Sequence, residues 1–180
     1  TAVWVMVSFE EDHLKGLLSA YLMQPLMPFW RYFSSHLAEQ LSRIPIVCIF
    51  IIIILCIVPY SFWLPNLSNC FFFIIALFSA FCVRFLLHWL FSMICFWTER
   101  ASSIERLLII PYIFLSGIVA PPELYPPYIK HIAMATPFPY FISFPAQILS
   151  GSEVNLIAGF ISILLWSLVL LLLSYVAWKQ

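Results

Sequence analysis

Two basic side chains, Arg84 and His88, lie inside a long apolar stretch that runs from residue 70 to residue 97. Because they are four residues apart, a helix would place both on the same face. An arginine at that depth is costly in lipid, so its side chain should face protein or water. Two roles are open for this pair: binding an anionic group in a pathway across the membrane, or pairing with an acidic residue of a neighbouring helix. His88 could also be a hydrogen-bonded packing residue.

The remaining polar residues show no arrangement for catalysis. A nucleophile site needs serine or cysteine beside histidine and an orienting carboxylate, whereas the acidic residues here fall in predicted loops and interfaces. The sequence contains no GxxxxGK[ST] phosphate-binding loop. The cysteines form no CxxC pair and lack metal-ligand spacing: Cys48, Cys56, Cys70, Cys82 and Cys95. We therefore predict a protein that is not an enzyme and has no catalytic, cofactor-binding or metal site.

The composition indicates where this chain resides. Hydrophobic residues make up 64% of it and charged residues 9%, whereas soluble domains carry about 25% charged residues. So few charges cannot cover a surface that faces water. The net charge of zero gives no basic patch for nucleic acid. The sequence therefore predicts an all-α, polytopic transmembrane helix bundle in a lipid bilayer.

Four apolar runs are expected to cross this bilayer. Their predicted bounds are 44–63, 70–97, 107–120 and 155–178, and Pro45 suits the first turn of the first helix. The run 107–120 is short for a hydrocarbon core of about 30 Å. Residues 1–9 are too few to span that distance, so they are predicted to be the end of a transmembrane helix that begins before Thr1.

Between these parts, residues 10–43 form an amphipathic region. A first apolar stripe comprises Leu14, Leu17, Leu18, Tyr21 and Leu22, and a second comprises Trp30, Phe33, Leu37, Leu41 and Ile44. Pro25 and Pro28 are expected to break the helix between them. Such helices lie along the membrane interface, either without a partner or as a docking element for a soluble subunit. In the docking case the candidate coupling residues are Glu10, Glu11, Asp12, Lys15 and Arg31.

A short charged turn, 98–106, is a second candidate contact for a partner. Its charged residues are Glu99, Arg100, Glu105 and Arg106. The turn could equally be a solvated loop that starts a helix over 104–120, because Ser102 and Glu105 have the spacing of a capping box.

The segment 121–153 is too long and too apolar for a simple connector. Seven prolines lie between positions 121 and 145, and they bound two predicted short helices, 124–134 and 140–149. We expect these helices to re-enter the membrane edge, where irregular backbone must be covered by protein or line a cavity. An external gate and a plain packed loop both fit this pattern. The candidate gate residues are Pro121, Pro122, Glu123, Pro126, Pro137 and Pro139.

The positive charges predict the orientation. Six basic residues fall on one side of the predicted bundle, whereas Lys130 falls on the other: Lys15, Arg31, Arg43, Arg100, Arg106 and Lys179. Because short cytoplasmic loops carry the excess of lysine and arginine, 10–43 and 98–106 are predicted to be cytoplasmic. The segment 121–153 is then external.

Four stretches resemble a known family, the membrane subunits of type-2 ABC exporters and in particular the bacterial ABC-2 permeases. They are GLLSAYLMQPL (16–26), FWTERASSIERL (96–107), FLSGIVAPPELYPPYI (114–129) and PFPYFISFPAQILSG (137–151). The resemblance implies a six-helix subunit, of which this chain holds the end of the second helix to the sixth.

The same resemblance implies partners and a location. Residues 14–43 would be the coupling element that sits in a groove of a separate nucleotide-binding ATPase subunit, and 121–151 would be the external re-entrant pair. ATP and Mg²⁺ would be bound by that partner. Two permease subunits, identical or different, would face each other in the bacterial inner membrane. The alternatives are a self-contained channel or secondary carrier, and a non-transporting membrane scaffold.

Overall fold

The computed structural model describes residues 3–57, 66–98, 102–152 and 154–179. Within these ranges there are α-helices, short 3₁₀ turns and no strand, which confirms the all-α class. The helices are α1 (Val3–Leu14), α2 (Leu17–Leu22), α3 (Pro28–Ile57), α4 (Leu67–Ser92), α5 (Ser102–Leu115), α6 (Pro127–Met134), α7 (Ser143–Ser150) and α8 (Leu156–Lys179).

Three of these helices are long and apolar enough to cross a membrane. They are α3, α4 with the 3₁₀ turn Met93–Phe96 that extends it, and α8. Helix α8 buries Ile163, Leu170 and Ser174, and most of its other apolar side chains are exposed. A helix that is apolar all round and exposed is suited to lipid. The chain is therefore a multi-pass membrane protein.

The chain falls into two compact units, one made of Thr1–Lys15 and Pro65–Gln180 and the other of Gly16–Leu64. Helix α4 is the centre of the first unit, where it packs against α1, α7, α8 and the 3₁₀ turn Phe138–Phe141. Ala76 and Ala80, one turn apart on α4, are buried. Such small side chains let helices approach closely in a membrane.

An aromatic cluster joins α1, α4 and α8 near one end of the first unit. The ring of Phe9 meets the ring of Trp89 edge-on at 5.6 Å, and Trp89 stacks on Trp178 at 5.8 Å. Phe96 adds edge contacts to Phe9 and Trp178. Pairs with these geometries add to the packing energy of the rings.

Helix α1 does not end at Phe9, as the sequence suggested, but continues through the acidic residues to Leu14. Glutamate is a good helix former, so Glu10 and Glu11 do not stop a helix that is already packed. The stop comes at Gly16, which has a φ of 71° and can adopt this left-handed conformation without a steric penalty.

Helix α5 differs from the predicted span 107–120 at both ends. It begins at Ser102 and ends at Leu115, and its 14 residues extend about 21 Å, less than the hydrocarbon thickness. Gly117 follows with a φ of 90°, which turns the chain before Pro121. Helix α5 is therefore not among the helices long enough to cross a membrane, and a crossing of the bilayer by 107–120 stays a prediction.

In the second unit, α3 is a single helix of 30 residues with Pro45 in its interior. The sequence instead suggested an amphipathic piece followed by a new helix at 44. A proline removes one backbone hydrogen bond, and a long helix continues when the residues on both sides favour it. The most apolar stretch of α3 has no buried residue. The predicted end of that span, 58–63, lies outside the described residues.

The first amphipathic stripe is also interrupted. Leu14 belongs to α1, and α2 begins only at Leu17, because Gly16 lies between them in the left-handed conformation. Within the second unit, Arg31 Nη2 donates a hydrogen bond to Tyr21 Oη at 2.9 Å, and its guanidinium lies 3.8 Å from the ring centroid.

The two short helices predicted over 124–134 and 140–149 occur as α6 and α7. Several contacts fasten this segment to the rest of the first unit. The Ser143 amide donates to the Ser116 carbonyl at 3.1 Å, and Tyr125 Oη donates to the Phe114 carbonyl at the end of α5. Helices α6 and α7 with the residues that join them are called the cap below, and these hydrogen bonds attach the cap to the end of α5.

Candidate intramembrane polar site

A cavity of about 110 Å³ lies between α4, α5 and the 3₁₀ turn Phe138–Phe141. Its polar side chains are Arg84 and His88 from α4 and Glu105 and Tyr112 from α5; the rest of the lining is aliphatic or aromatic. On α5 the lining residues 105, 108, 109 and 112 follow the i, i+3, i+4, i+7 pattern. This pattern places them on one helix face.

Arg84 is held by Tyr112. Its Nη1 donates a hydrogen bond to Tyr112 Oη at 3.0 Å, and its guanidinium carbon lies 4.4 Å from the centroid of the same ring. The Nε atom of Arg84 is buried and has no hydrogen-bond partner. His88 Nδ1 lies 3.0 Å from the Arg84 carbonyl oxygen, one turn back along α4. The guanidinium is therefore held by Tyr112 through Nη1, whereas its Nε–H lacks a hydrogen-bond partner.

Glu105 is the unexpected member of the cavity. The sequence suggested a partner contact or a capping role at the surface, but the residue is 8% exposed and its Oε1 is buried without a hydrogen-bond partner. Glu105 is buried because it lies two turns before Tyr112 on the same face of α5, the face that lines the cavity. Arg106, the next residue, is exposed. Glu99, Arg100 and the side chain of Ser102 lie outside the described residues.

The cavity brings together three features that the sequence suggested separately. Arg84 and His88 belong to the intramembrane pair, Glu105 to the charged turn, and Phe141 to the proline-rich segment. The ring of Phe141 lies 6.3 Å from that of Tyr112. An acidic residue that could pair with Arg84 is therefore present in this chain, in the lining of the same cavity.

Tyr112, Phe138 and Phe141 were not among the predicted site residues. Tyr112 had a usable signal, because it lies seven residues after Glu105 and thus on the same face of any helix through both. The two phenylalanines carried no such signal, since their approach to α4 and α5 is a tertiary contact.

The candidate coupling residues do not form a site of this kind. Glu11 and Lys15 form an exposed ion pair of 3.0 Å at the end of α1, which contributes about 0.3–0.5 kcal/mol at most. Glu10 and Asp12 lie on the same helix. Arg31 is exposed in the second unit, against Tyr21. Their role in coupling stays a prediction.

The candidate gate residues have mixed environments. Pro122, Pro137 and Pro139 are buried, whereas Pro121, Glu123 and Pro126 are exposed. Glu123 accepts a hydrogen bond from Gln147 Nε2 of α7. A wider cavity of about 560 Å³ lies between residues 117–123 and α7. These contacts hold the cap together, and gating by it stays a prediction.

Comparison with known proteins identifies a family for this chain. The family described as "ABC-2 family transporter protein" matches residues 3–180, a range that includes all eight helices. No curated protein and no solved structure matches the chain.

Proposed function

We propose that this chain, which belongs to the ABC-2 family of transporter proteins, forms the translocation path of an ATP-driven exporter and is moved by a separate ATPase subunit. As a permease of that family it is a membrane transport component. The family match supports a role in transport; export and movement by a separate ATPase are the parts that we propose.

The observation that carries this proposal is the family match over 3–180, joined to the absence of a phosphate-binding loop from the sequence. A transporter of the ABC type needs ATP hydrolysis, and this chain has no GxxxxGK[ST] loop to bind the phosphates. ATP and Mg²⁺ would therefore be bound by the partner subunit.

The continuity of α3 supports a mechanical link. This helix of 30 residues extends about 45 Å, from the amphipathic region predicted to be cytoplasmic into the apolar region predicted to span the membrane. A displacement of the first turns of α3 would therefore be transmitted to the apolar part of the same helix, because no loop separates the two parts. Closure of the ATP sites would act on residues 10–43 and 98–106. The free energy comes from the different affinities of the ATP-loaded partner for two permease conformations.

The assembly we propose has two permease subunits side by side above two ATPase subunits. It lies in a bacterial cell membrane with 10–43 and 98–106 in the cytoplasm and 121–153 outside. The positive charges on 10–43 and 98–106 support this orientation. A path between the two permeases would open toward the cap formed by α6 and α7.

One observation favours a second candidate, a secondary carrier. Arg84, His88 and Glu105 share a cavity, and clusters of ionisable residues within a bundle are typical of proton and ion relays. Flux that depends on an ion gradient and occurs without any ATPase would support this candidate over the ATP-driven one.

Charge reversal tests the proposed docking. We expect Glu10→Lys, Glu11→Lys and Asp12→Lys combined with Arg31→Glu to weaken co-purification of the ATPase about tenfold or more, because like charges at an interface slow association and oppose binding. Stimulation of ATP hydrolysis by the permease should fall in parallel. Both are measured on the protein co-expressed with a candidate ATPase subunit.

Lys130→Glu is the matched control, because this charge is predicted to face the opposite side of the membrane. It should leave co-purification unchanged, and membrane insertion should be equal for all variants. Undiminished co-purification and ATP hydrolysis in the quadruple variant would remove these residues from the docking surface.

A further inference from the structure

Polar side chains are concentrated around the cavity of about 560 Å³ between residues 117–123 and α7. This space, called the α7 cavity below, has a volume in the range of small-molecule sites. Its polar lining comprises Glu123, Ser143, Gln147, Ser150 and Ser152. Among the described residues of this lining, Glu123 is the charged one and none is basic. Glu123 is exposed and forms no ion pair within the described part of the chain, so the cavity attracts cations and repels anions.

Several donor hydrogens of this lining are already used inside it. Gln147 Nε2 donates to Glu123 Oε1 and lies 3.3 Å from Ser143 Oγ. Because a carboxylate can only accept, the nitrogen of the amide must be the atom that faces Glu123. Ser150 Oγ donates to the Gln147 backbone carbonyl at 3.0 Å and lies 2.8 Å from Ser152 Oγ. A hydroxyl has one hydrogen, so Ser152 is the donor in that second contact.

The capacity that remains in the lining is mostly that of acceptors. A carboxylate has about four acceptor positions and a hydroxyl oxygen two, so Glu123 and Ser152 can accept further hydrogen bonds. Ser150 is also the last residue of α7, and the C-terminal end of a helix carries a partial negative charge. Both features favour a ligand group that combines a positive charge with several N–H donors.

We propose that the α7 cavity binds a primary ammonium group, whose N–H groups donate to the Glu123 carboxylate and to a hydroxyl oxygen of the lining. Such a group carries three donors and no acceptor, so it complements a wall with acceptors to spare. An anion would meet the Glu123 carboxylate without a basic side chain of the lining to offset it. The binding does not depend on the proposed coupling to an ATPase, because every group that it uses belongs to this chain.

Three small ions test charge and hydrogen bonding separately. Ethylammonium, tetramethylammonium and acetate are titrated against the purified protein in detergent, and binding is followed by ligand-observed saturation-transfer NMR with empty micelles as the blank. Tetramethylammonium has the charge of ethylammonium but no N–H donor. We expect ethylammonium to bind about threefold more tightly than tetramethylammonium, and acetate to bind most weakly. Glu123→Gln should weaken ethylammonium binding about fivefold, because it removes the charge of an exposed carboxylate.

A primary ammonium occurs on soluble amines and on the headgroup of phosphatidylethanolamine. Ethylammonium is therefore also titrated against the protein in nanodiscs of phosphatidylcholine, with and without phosphatidylethanolamine. Weaker binding in the presence of phosphatidylethanolamine would assign the site to the lipid headgroup, and equal binding would assign it to a soluble amine.

Glu39→Gln is the matched control, because it makes the same chemical change at a carboxylate that pairs with Arg43 on α3. It should leave the binding of all three ions unchanged. The proposal is overturned if tetramethylammonium or acetate binds as tightly as ethylammonium, or if none of the ions binds. It is also overturned if Glu123→Gln binds ethylammonium as tightly as Glu39→Gln does. Because no ATPase is present, failure here is distinct from failure of the proposed ATP coupling.

Discussion

Replacement of Arg84 by methionine is expected to lower the free energy of unfolding by about 2 kcal/mol, because it removes a charged hydrogen-bond donor and a positive charge near the buried Glu105 carboxyl. The donor that is lost is the one to Tyr112 Oη. Methionine keeps the apolar stem of the arginine, so loss of packing contributes little. The measurement is unfolding of the full-length protein in detergent, followed by tryptophan fluorescence, with transport activity measured on the same variants.

The double variant separates this electrostatic effect from general damage. Glu105→Gln in the Arg84→Met background removes the buried carboxyl and should recover about 1 kcal/mol, a coupling within the range found for interacting residues. Arg106→Met is the control, since this side chain is exposed, and it should change stability by less than about 0.5 kcal/mol. If the two changes at the cavity were simply additive, Arg84 and Glu105 would not interact.

Gly159→Ala is expected to destabilise the protein by about 2–3 kcal/mol, as overpacking of a tight contact does. At an ordinary helix position this change would instead stabilise by about 1 kcal/mol. The difference arises because a Cβ at position 159 would lie 2.0 Å from Cε2 and 2.3 Å from Cζ of Phe144. Phe144 is 4% exposed, so its ring has little room to move. The glycine thus makes room for the Phe144 ring of α7 against α8.

A second variant tests this explanation through its partner. Phe144→Leu shortens the ring that a new Cβ would meet, so Gly159→Ala should cost much less in the Phe144→Leu background than alone. Thermal unfolding of the four proteins of this cycle in detergent gives the coupling directly. A gain in stability from Gly159→Ala alone would show that the Phe144 ring does not lie against Gly159.

The class of this protein follows from composition, and so do two of its three membrane-length helices. The spans predicted at 70–97 and 155–178 correspond to α4 with its 3₁₀ extension and to α8. Both runs contain few charges, and their ends are marked by polar or proline-rich segments that cannot enter lipid. The short helices of the cap were also predictable, because proline limits where a helix can begin and end.

The boundaries that failed depend on competition between local signals and packing. The acidic run after Phe9 suggested an exit from the membrane, but α1 continues to Leu14 because its helix is already packed on α4. Pro45 suggested a helix start, yet α3 passes through it. In each case a local signal was read as a boundary, whereas the residues on both sides favoured a continuous helix.

The polar cavity shows a different limit. Arg84 and His88 could be recognised as unusual from the sequence alone, and a partner acid was expected. Glu105 was assigned to the surface because the same residue fits a capping box, and one sequence cannot choose between a cap and a buried face. The approach of Phe141 depends on how the cap folds back, which periodicity does not encode.

Hydrogen exchange on the full-length protein tests most directly whether a separate ATPase moves these helices. Adding the ATPase should slow exchange in 10–43 and 98–106, and adding ATP should then change exchange in α5 and around Phe138–Phe141. ATP without the ATPase should change nothing. Exchange that is the same with and without the ATPase, or that responds to ATP in the permease alone, would contradict the proposal that this permease is moved by a separate ATPase.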